Sequence, residues 1–157
     1  MMSAALAVVE PELGAPASRR FQIADLSEHG GWVMPRMLQA FPHMNERAIA
    51  TFLRGVIYNS EYLFLYHEHG VALAKVLTSH MLTGRPVVQE RFVWVRDKTQ
   101  PEQVRAGAEF YVDFLRWARF QNAEVVLVEE NTDIPREMIN ERMGKRLFKR
   151  EQWFARV

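Results

Sequence analysis

The chain has 157 residues, 48% of them hydrophobic and 25% charged, with a formal charge of +1. That length fits one domain with its own core, and the balanced charge supplies no general field for a nucleic acid or an anionic membrane. There is no cysteine, which excludes disulfide frameworks, thiolate zinc sites and cysteine nucleophiles.

Residues 1–18, MMSAALAVVEPELGAPAS, are dominated by Ala, Pro, Gly and Ser. Their apolar run has no basic stretch before it and breaks at Glu10 and Pro11, unlike a secretory leader. The composition predicts a flexible arm ahead of a single domain over 19–157. No run approaches the roughly 20 apolar residues of a membrane helix. FQIADL, from Phe21 to Leu26, alternates and predicts a first strand. Ser27 offers a cap for a helix carrying Trp32, Met34, Met37, Leu38 and Phe41, interrupted by Pro35 and closed by Pro42. Asn45 caps a second helix, in which Ile49, Phe52, Leu53, Val56 and Ile57 recur at helical spacing.

Three strand patterns follow. Glu61–His67 and Val71–Ser79 flank the turn Glu68-His69-Gly70 and predict a hairpin. Gly84, Arg85 and Pro86 lead into Val87–Arg96, rich in β-branched and aromatic residues. Pro101 then opens a long helix to Gln121, striped by Val104, Ala108, Tyr111, Leu115 and Ala118 and widened by Phe110, Phe114 and Trp117. The apolar run Val125–Val128 predicts a central strand, parallel to Val87–Arg96 and joined to it by the helix as a crossover. Ile134–Met143 reads as a helix, Gly144 as its C-cap and Leu147–Val157 as a last strand. The order β-α-α-β-β-β-α-β-α-β is a restrictive topology, a meander running into one crossover.

Two segments carry chemistry. Gln103-Val104-Arg105-Ala106-Gly107-Ala108 lies at the start of the long helix, where unpaired amides and the dipole favour a phosphate. Glu129-Glu130-Asn131 closes the central strand, and Arg142, Lys145, Arg146, Lys149, Arg150 and Arg156 make the tail basic.

With the element order, these segments resemble the GCN5-related N-acetyltransferases (GNAT), from about Arg19 onward. The resemblance implies an α/β fold in which the strands before and after the long helix splay to admit the pantetheine arm of acetyl-CoA. It also implies a Gln/Arg-x-x-Gly-x-Gly/Ala loop holding the pyrophosphate on backbone amides. Carried over, the coenzyme-binding residues are Val93, Val95, Arg96, Gln103, Arg105, Ala106, Gly107, Ala108 and Asn131, and the catalytic candidates are Glu90, Glu129 or Glu130, and Asn131. Two positions depart from the pattern. Ala106 stands where the first glycine belongs, with Gly107 one place late, and Asn140 stands where many members carry a thiolate-protonating Tyr. An amide is no comparable proton donor.

The expected activity is transfer of an acetyl group from acetyl-CoA to an amine by direct attack, without a metal, in a cytoplasmic protein. The amine acceptor is not legible. A second reading is a degenerate GNAT-fold protein with an assembly role, for example in a bacteriophage virion, self-associating or meeting a partner through the arm. His67 and His69 make a metal pair without a third ligand nearby, and the basic tail with Trp153 and Phe154 reads as a solvated strand face before it reads as a nucleic-acid surface.

Overall fold

The computed structural model describes residues 18–77, 86–123, 125–127 and 154–156. Its elements in chain order are β1 (Arg19–Arg20), α1 (Asp25–Ala40), α2 (Glu46–Ile57), β2 (Tyr62–His67), β3 (Gly70–Leu77), β4 (Val87–Val95), α3 (Pro101–Phe120), β5 (Val125–Leu127) and β6 (Phe154–Arg156). The architecture is mixed α/β. The six strands among the described residues form one sheet in sequential order. β1 to β4 are mutually antiparallel, β4 and β5 pair in parallel, and β6 returns antiparallel to β5. The expected parallel neighbours are therefore present, with Val88 opposite Val126 and Gln89 opposite Leu127. The expected splay concerns 128–130, outside the described residues, as do the predicted helix Ile134–Met143, its cap Gly144 and the arm up to residue 17.

The helices follow their apolar stripes. In α2, Ile49, Leu53 and Val56 are buried at spacings of four and three, and Asn45 Oδ1 accepts from the Ala48 amide at 2.8 Å. α3 starts on Pro101, whose missing N–H costs nothing at N1. It ends where Asn122 turns left-handed at φ 56° and the Ala123 amide returns to the Ala118 carbonyl at 2.8 Å. Pro35 sits inside α1 on its exposed side, where it removes one helical hydrogen bond without ending the helix.

The expected strand over Phe21–Leu26 is a correction. The ladder ends at Arg20, with one further bond from the Phe21 amide to the Phe64 carbonyl at 2.8 Å. The Asp25 carboxylate then draws the chain into a turn, accepting the Gln22 amide at 2.7 Å and both arms of the Arg19 guanidinium at 2.7 and 2.8 Å. Helix α1 starts at Asp25, so Ser27 lies in its first turn and does not cap it; the Ser27 hydroxyl donates back to the Ala24 carbonyl. Alternation in FQIADL loses to this local side-chain chemistry.

Two apolar layers cover the sheet. On one face α3 packs Phe110, Tyr111, Phe114, Leu115 and Trp117 over Leu65, Ala72, Ala74, Val88 and Val93. On the other, α1 and α2 pack Val33, Met37, Ile49, Leu53 and Val56 over Phe64, Val71, Leu73, Phe92 and Trp94. Gly70 opens β3 after the two-residue turn Glu68-His69, and a Cβ there would lie 2.5 Å from the Trp94 carbonyl oxygen, so the hairpin and β4 approach more closely than any side chain permits.

β4 carries a bulge. Leu73 pairs with Phe92 but Ala74 pairs with Glu90, leaving Arg91 as the extra residue. Strict alternation from Val88 would put Phe92 and Trp94 on the α3 face. The bulge reverses the phase, so that Val88, Val93 and Val95 face α3 while Phe92 and Trp94 face α1 and α2. Among the described residues no helix is long and apolar enough to cross a membrane.

Candidate functional site

The end of the sheet at which β4 delivers the chain into α3 gathers most of the polar groups of interest. Residues 96–100 connect the two elements, and the Arg96 amide donates to the His69 carbonyl at 2.9 Å, tying this connection to the β2–β3 turn. No side chain caps α3 at Gln100. The Val104 amide already bonds the Gln100 carbonyl at 3.0 Å, so the amides left without an intrahelical partner are those of Glu102 and Gln103.

The expected coenzyme residues divide by environment. Val93, Val95, Ala106 and Ala108 are buried, three of them within the apolar cluster under α3, and Gly107 is buried beside them. From Ala106 to Ala108 the backbone is helical and the amides belong to the helix ladder. Arg96 and Arg105 are exposed, and Gln103 is half-buried. The Gln103 Oε1 atom is shielded from solvent and has no hydrogen-bond donor among the described residues, an acceptor held ready in the first turn. Glu129, Glu130, Asn131 and Asn140 lie outside the described residues.

Glu90 is fully buried, on the α3 side of β4 opposite Ala74, one residue before the bulge. It is not an exposed strand carboxylate. A carboxyl group sealed under a helix has the environment from which functional acids and bases are drawn, and equally that of a structural network.

A hollow of about 180 Å³ opens beside the first turns of α3, lined by His67, Glu68, His69, Glu102, Arg105 and Glu109. The two imidazoles stand 5.4 Å apart between centroids. His67 Nδ1 accepts the His69 amide at 3.2 Å and its ring meets the Phe110 ring edge to face. Burial, reinforced by the neighbouring His69, holds the His67 imidazole below the ordinary histidine range. His69 Nε2 lies 3.1 Å from Glu68. Three carboxylates thus face one guanidinium here, a balance that favours cations over a pyrophosphate. Among the described residues no three His, Cys, Asp or Glu side chains form a metal-ligand group.

Across the sheet, His29 on α1 is fully buried, a position the sequence reading passed over. The Trp32 indole N–H donates to His29 Nδ1 at 2.7 Å, which assigns the imidazole proton to Nε2. Burial depresses its pKa, opposed by Glu28 and Asp25 and supported by Arg96. The Tyr66 hydroxyl lies 3.1 and 3.2 Å from the two Glu28 oxygens, and the Arg19 guanidinium stacks on the Tyr66 ring at 3.9 Å. The signal for this cluster is the spacing of His29 and Trp32, which puts both on one side of a helix.

No protein-family model, curated protein or solved structure matches the chain.

Proposed function

We propose that the protein is an acetyl-CoA-dependent N-acetyltransferase of the GNAT type. The observation that carries this reading is the change from antiparallel to parallel pairing between β4 and β5, with α3 crossing over and its free amide end following the carboxyl end of β4. Ligands of open α/β sheets bind beyond the carboxyl ends of parallel strands, and a helix N-terminus there favours an anion. The bulge at Arg91 supports the reading, because such irregularities re-aim side chains beside active sites.

The Glu102 and Gln103 amides would hold the anionic part of acetyl-CoA, with Arg96 and Arg105 offsetting the Glu68, Glu102 and Glu109 carboxylates that line the hollow beside them, and Gln103 Oε1 would accept an amide N–H. The thioester supplies an activated acyl carbon. The acceptor amine forms the new C–N bond there, the C–S bond breaks, and the amine proton passes to a carboxylate, for which Glu90 and Glu129 are the candidates.

The second reading, a GNAT-like fold with an assembly role, is favoured by a specific observation. Ala106, Gly107 and Ala108 are packed into the core and their amides lie within the helix, leaving a shorter phosphate cradle than the Gly-rich loop provides. Titrating the full chain with acetyl-CoA while following its melting separates the two. At a hundredfold excess over Kd, linkage adds about 2.7 kcal/mol of stability. A rise in Tm that is reduced by Arg105→Glu supports the transferase; no rise at millimolar acetyl-CoA removes it in favour of assembly.

A further inference from the structure

Across the sheet from α3, the imidazole of His29 is sealed among aromatic rings. The Tyr66 ring meets it at 4.9 Å between centroids, the Trp32 ring at 5.6 Å and the Phe21 ring at 6.2 Å. Two of these walls are fixed. Phe21 is buried and stacks on Phe64 at 4.3 Å, and Tyr66 is pinned between the Glu28 carboxylate and the Arg19 guanidinium. Trp32 is half-buried against the apolar layer, and its indole N–H donates inward to His29 Nδ1.

That bond exists in one protonation state only. The neutral ring, with its proton on Nε2, offers Nδ1 as an acceptor; the imidazolium carries N–H groups on both nitrogens and accepts nothing. Adding a proton therefore sets two donors face to face across 2.7 Å, and a buried donor without an acceptor is costly. The indole is the partner that can leave, since turning outward takes its N–H to water and opens His29 to solvent. The surrounding groups act in both directions. Glu28 and Asp25 on α1 and the His67 backbone on β2 favour the imidazolium, while burial and Arg96, just past the end of β4, oppose it. Arg19 is engaged by Asp25, and Tyr66, beside Glu28, stays neutral in acid. Other attachments hold α1 in place meanwhile. Asp25 keeps its charge well into acid against Arg19, and Val33 and Met37 are buried further along the helix.

We propose that the His29–Trp32 pair is a proton-operated latch: in mild acid His29 takes a proton, the bond to Trp32 breaks and the indole swings out, while the domain stays folded. The effect reaches the β4–α3 connection, because a charged His29 repels Arg96, whose amide ties that connection to the β2–β3 turn. The latch is closed above the ordinary histidine value of 6.5 and opens as the pH falls through the lower one that burial imposes.

The test is NMR on the full chain, following the His29 imidazole and the indole N–H of each of the four tryptophans as the pH is lowered from neutral. The indole resonance missing from Trp32→Phe identifies Trp32. Relative to its intrinsic rate at each pH, hydrogen exchange of that indole is expected to accelerate at least about tenfold at the His29 midpoint, with the amides of β3 and β4 still protected. Simultaneous loss of strand protection would make the event global unfolding and overturn the latch, as would an indole that ignores the His29 midpoint. In His29→Gln the amide oxygen keeps an acceptor for the indole but does not take up a proton, so Trp32 should stay protected throughout. Release at the same pH in that variant would assign the proton to another group, His67 included, and overturn the proposal. A further measurement does not require His29→Gln to fold. Trp32→Phe removes the bond that favours the neutral ring, so the His29 midpoint should rise by about one pH unit, a tenfold gain in proton affinity. An unchanged midpoint would mean that bond and proton are not coupled, which overturns the latch.

Discussion

The two faces of the sheet solve the same packing problem in opposite ways. Under α3 the bulk comes from the helix, as Phe110, Tyr111, Phe114 and Trp117, and the sheet answers with Ala72 and Ala74. Under α1 and α2 the bulk comes from the sheet, as Phe64, Phe92 and Trp94, and the helices answer with Val33, Ile49, Leu53 and Val56. Large side chains must oppose small ones if both layers are to reach native density. The difference teaches that β3 is written for two partners at once: Val71 and Leu73 for one, Ala72 and Ala74 for the other.

The comparison breaks most severely if the helix on the first face loses its bulk. Phe114→Ala, at a fully buried position, should cost about 3–5 kcal/mol in a denaturant titration, since the alanines beneath cannot fill the cavity. Next comes Ala74→Leu, which forces a branched side chain under α3 and should cost about 1–3 kcal/mol. Leu73→Met on the opposite face conserves volume and should cost less than about 1.5 kcal/mol. If the two substitutions on β3 cost the same, the asymmetry of the faces is not energetic. A smaller effect sharpens the role of α2: Asn45→Ala removes the side-chain acceptor for the Ala48 amide and should cost about 1 kcal/mol, read as an earlier thermal midpoint with unchanged ligand response.

Two buried groups on opposite faces, His29 and Asp113, also carry opposite proton linkages. His29 is held below its ordinary pKa of 6.5, chiefly by burial, so the stability of its neutral state is present above that value and is lost as pH falls through the depressed one. Asp113 is held above its ordinary 3.8, again chiefly by burial, so its contribution is fully present below 3.8 and is lost as pH rises through the raised value. Lowering the pH from 7 should first destabilise the chain through His29, with His67 acting in the same direction. His29→Gln should flatten the slope of Tm against pH over that range, whereas Asp113→Asn should leave it and alter the more acidic limb.

Where local rules agree with tertiary packing, the sequence is a good guide. The Asn45 cap, the Pro101 start of α3 and the hairpin around Glu68-His69 all use side-chain or backbone chemistry contained within a few residues. The parallel relation of β4 and β5 was also legible, because a crossover helix followed by an apolar run leaves little else. FQIADL misled because an Asp25–Arg19 pair, invisible to alternation, turns the chain early. The bulge at Arg91 has no signature in a run of β-branched and aromatic residues, and it decides that Glu90 shares the α3 face with Ala74. At the candidate site, Gln103 was legible as a helix-start residue, but the sealing of Ala106 to Ala108 depends on where the stripe of α3 meets the sheet. Small residues that read as room for a phosphate serve equally as room for close helix–sheet packing.

Among the described residues, one end of the sheet is β1, only two residues long and made entirely of arginine. An outermost strand displays unpaired amides and carbonyls that a strand from another molecule can join, and growth by such addition is how sheets coalesce into aggregates. A two-residue strand offers too little ladder to template a neighbour. The same pair that starts the fold therefore acts as a stop, keeping the molecule from extending its sheet through its neighbours when the protein is crowded.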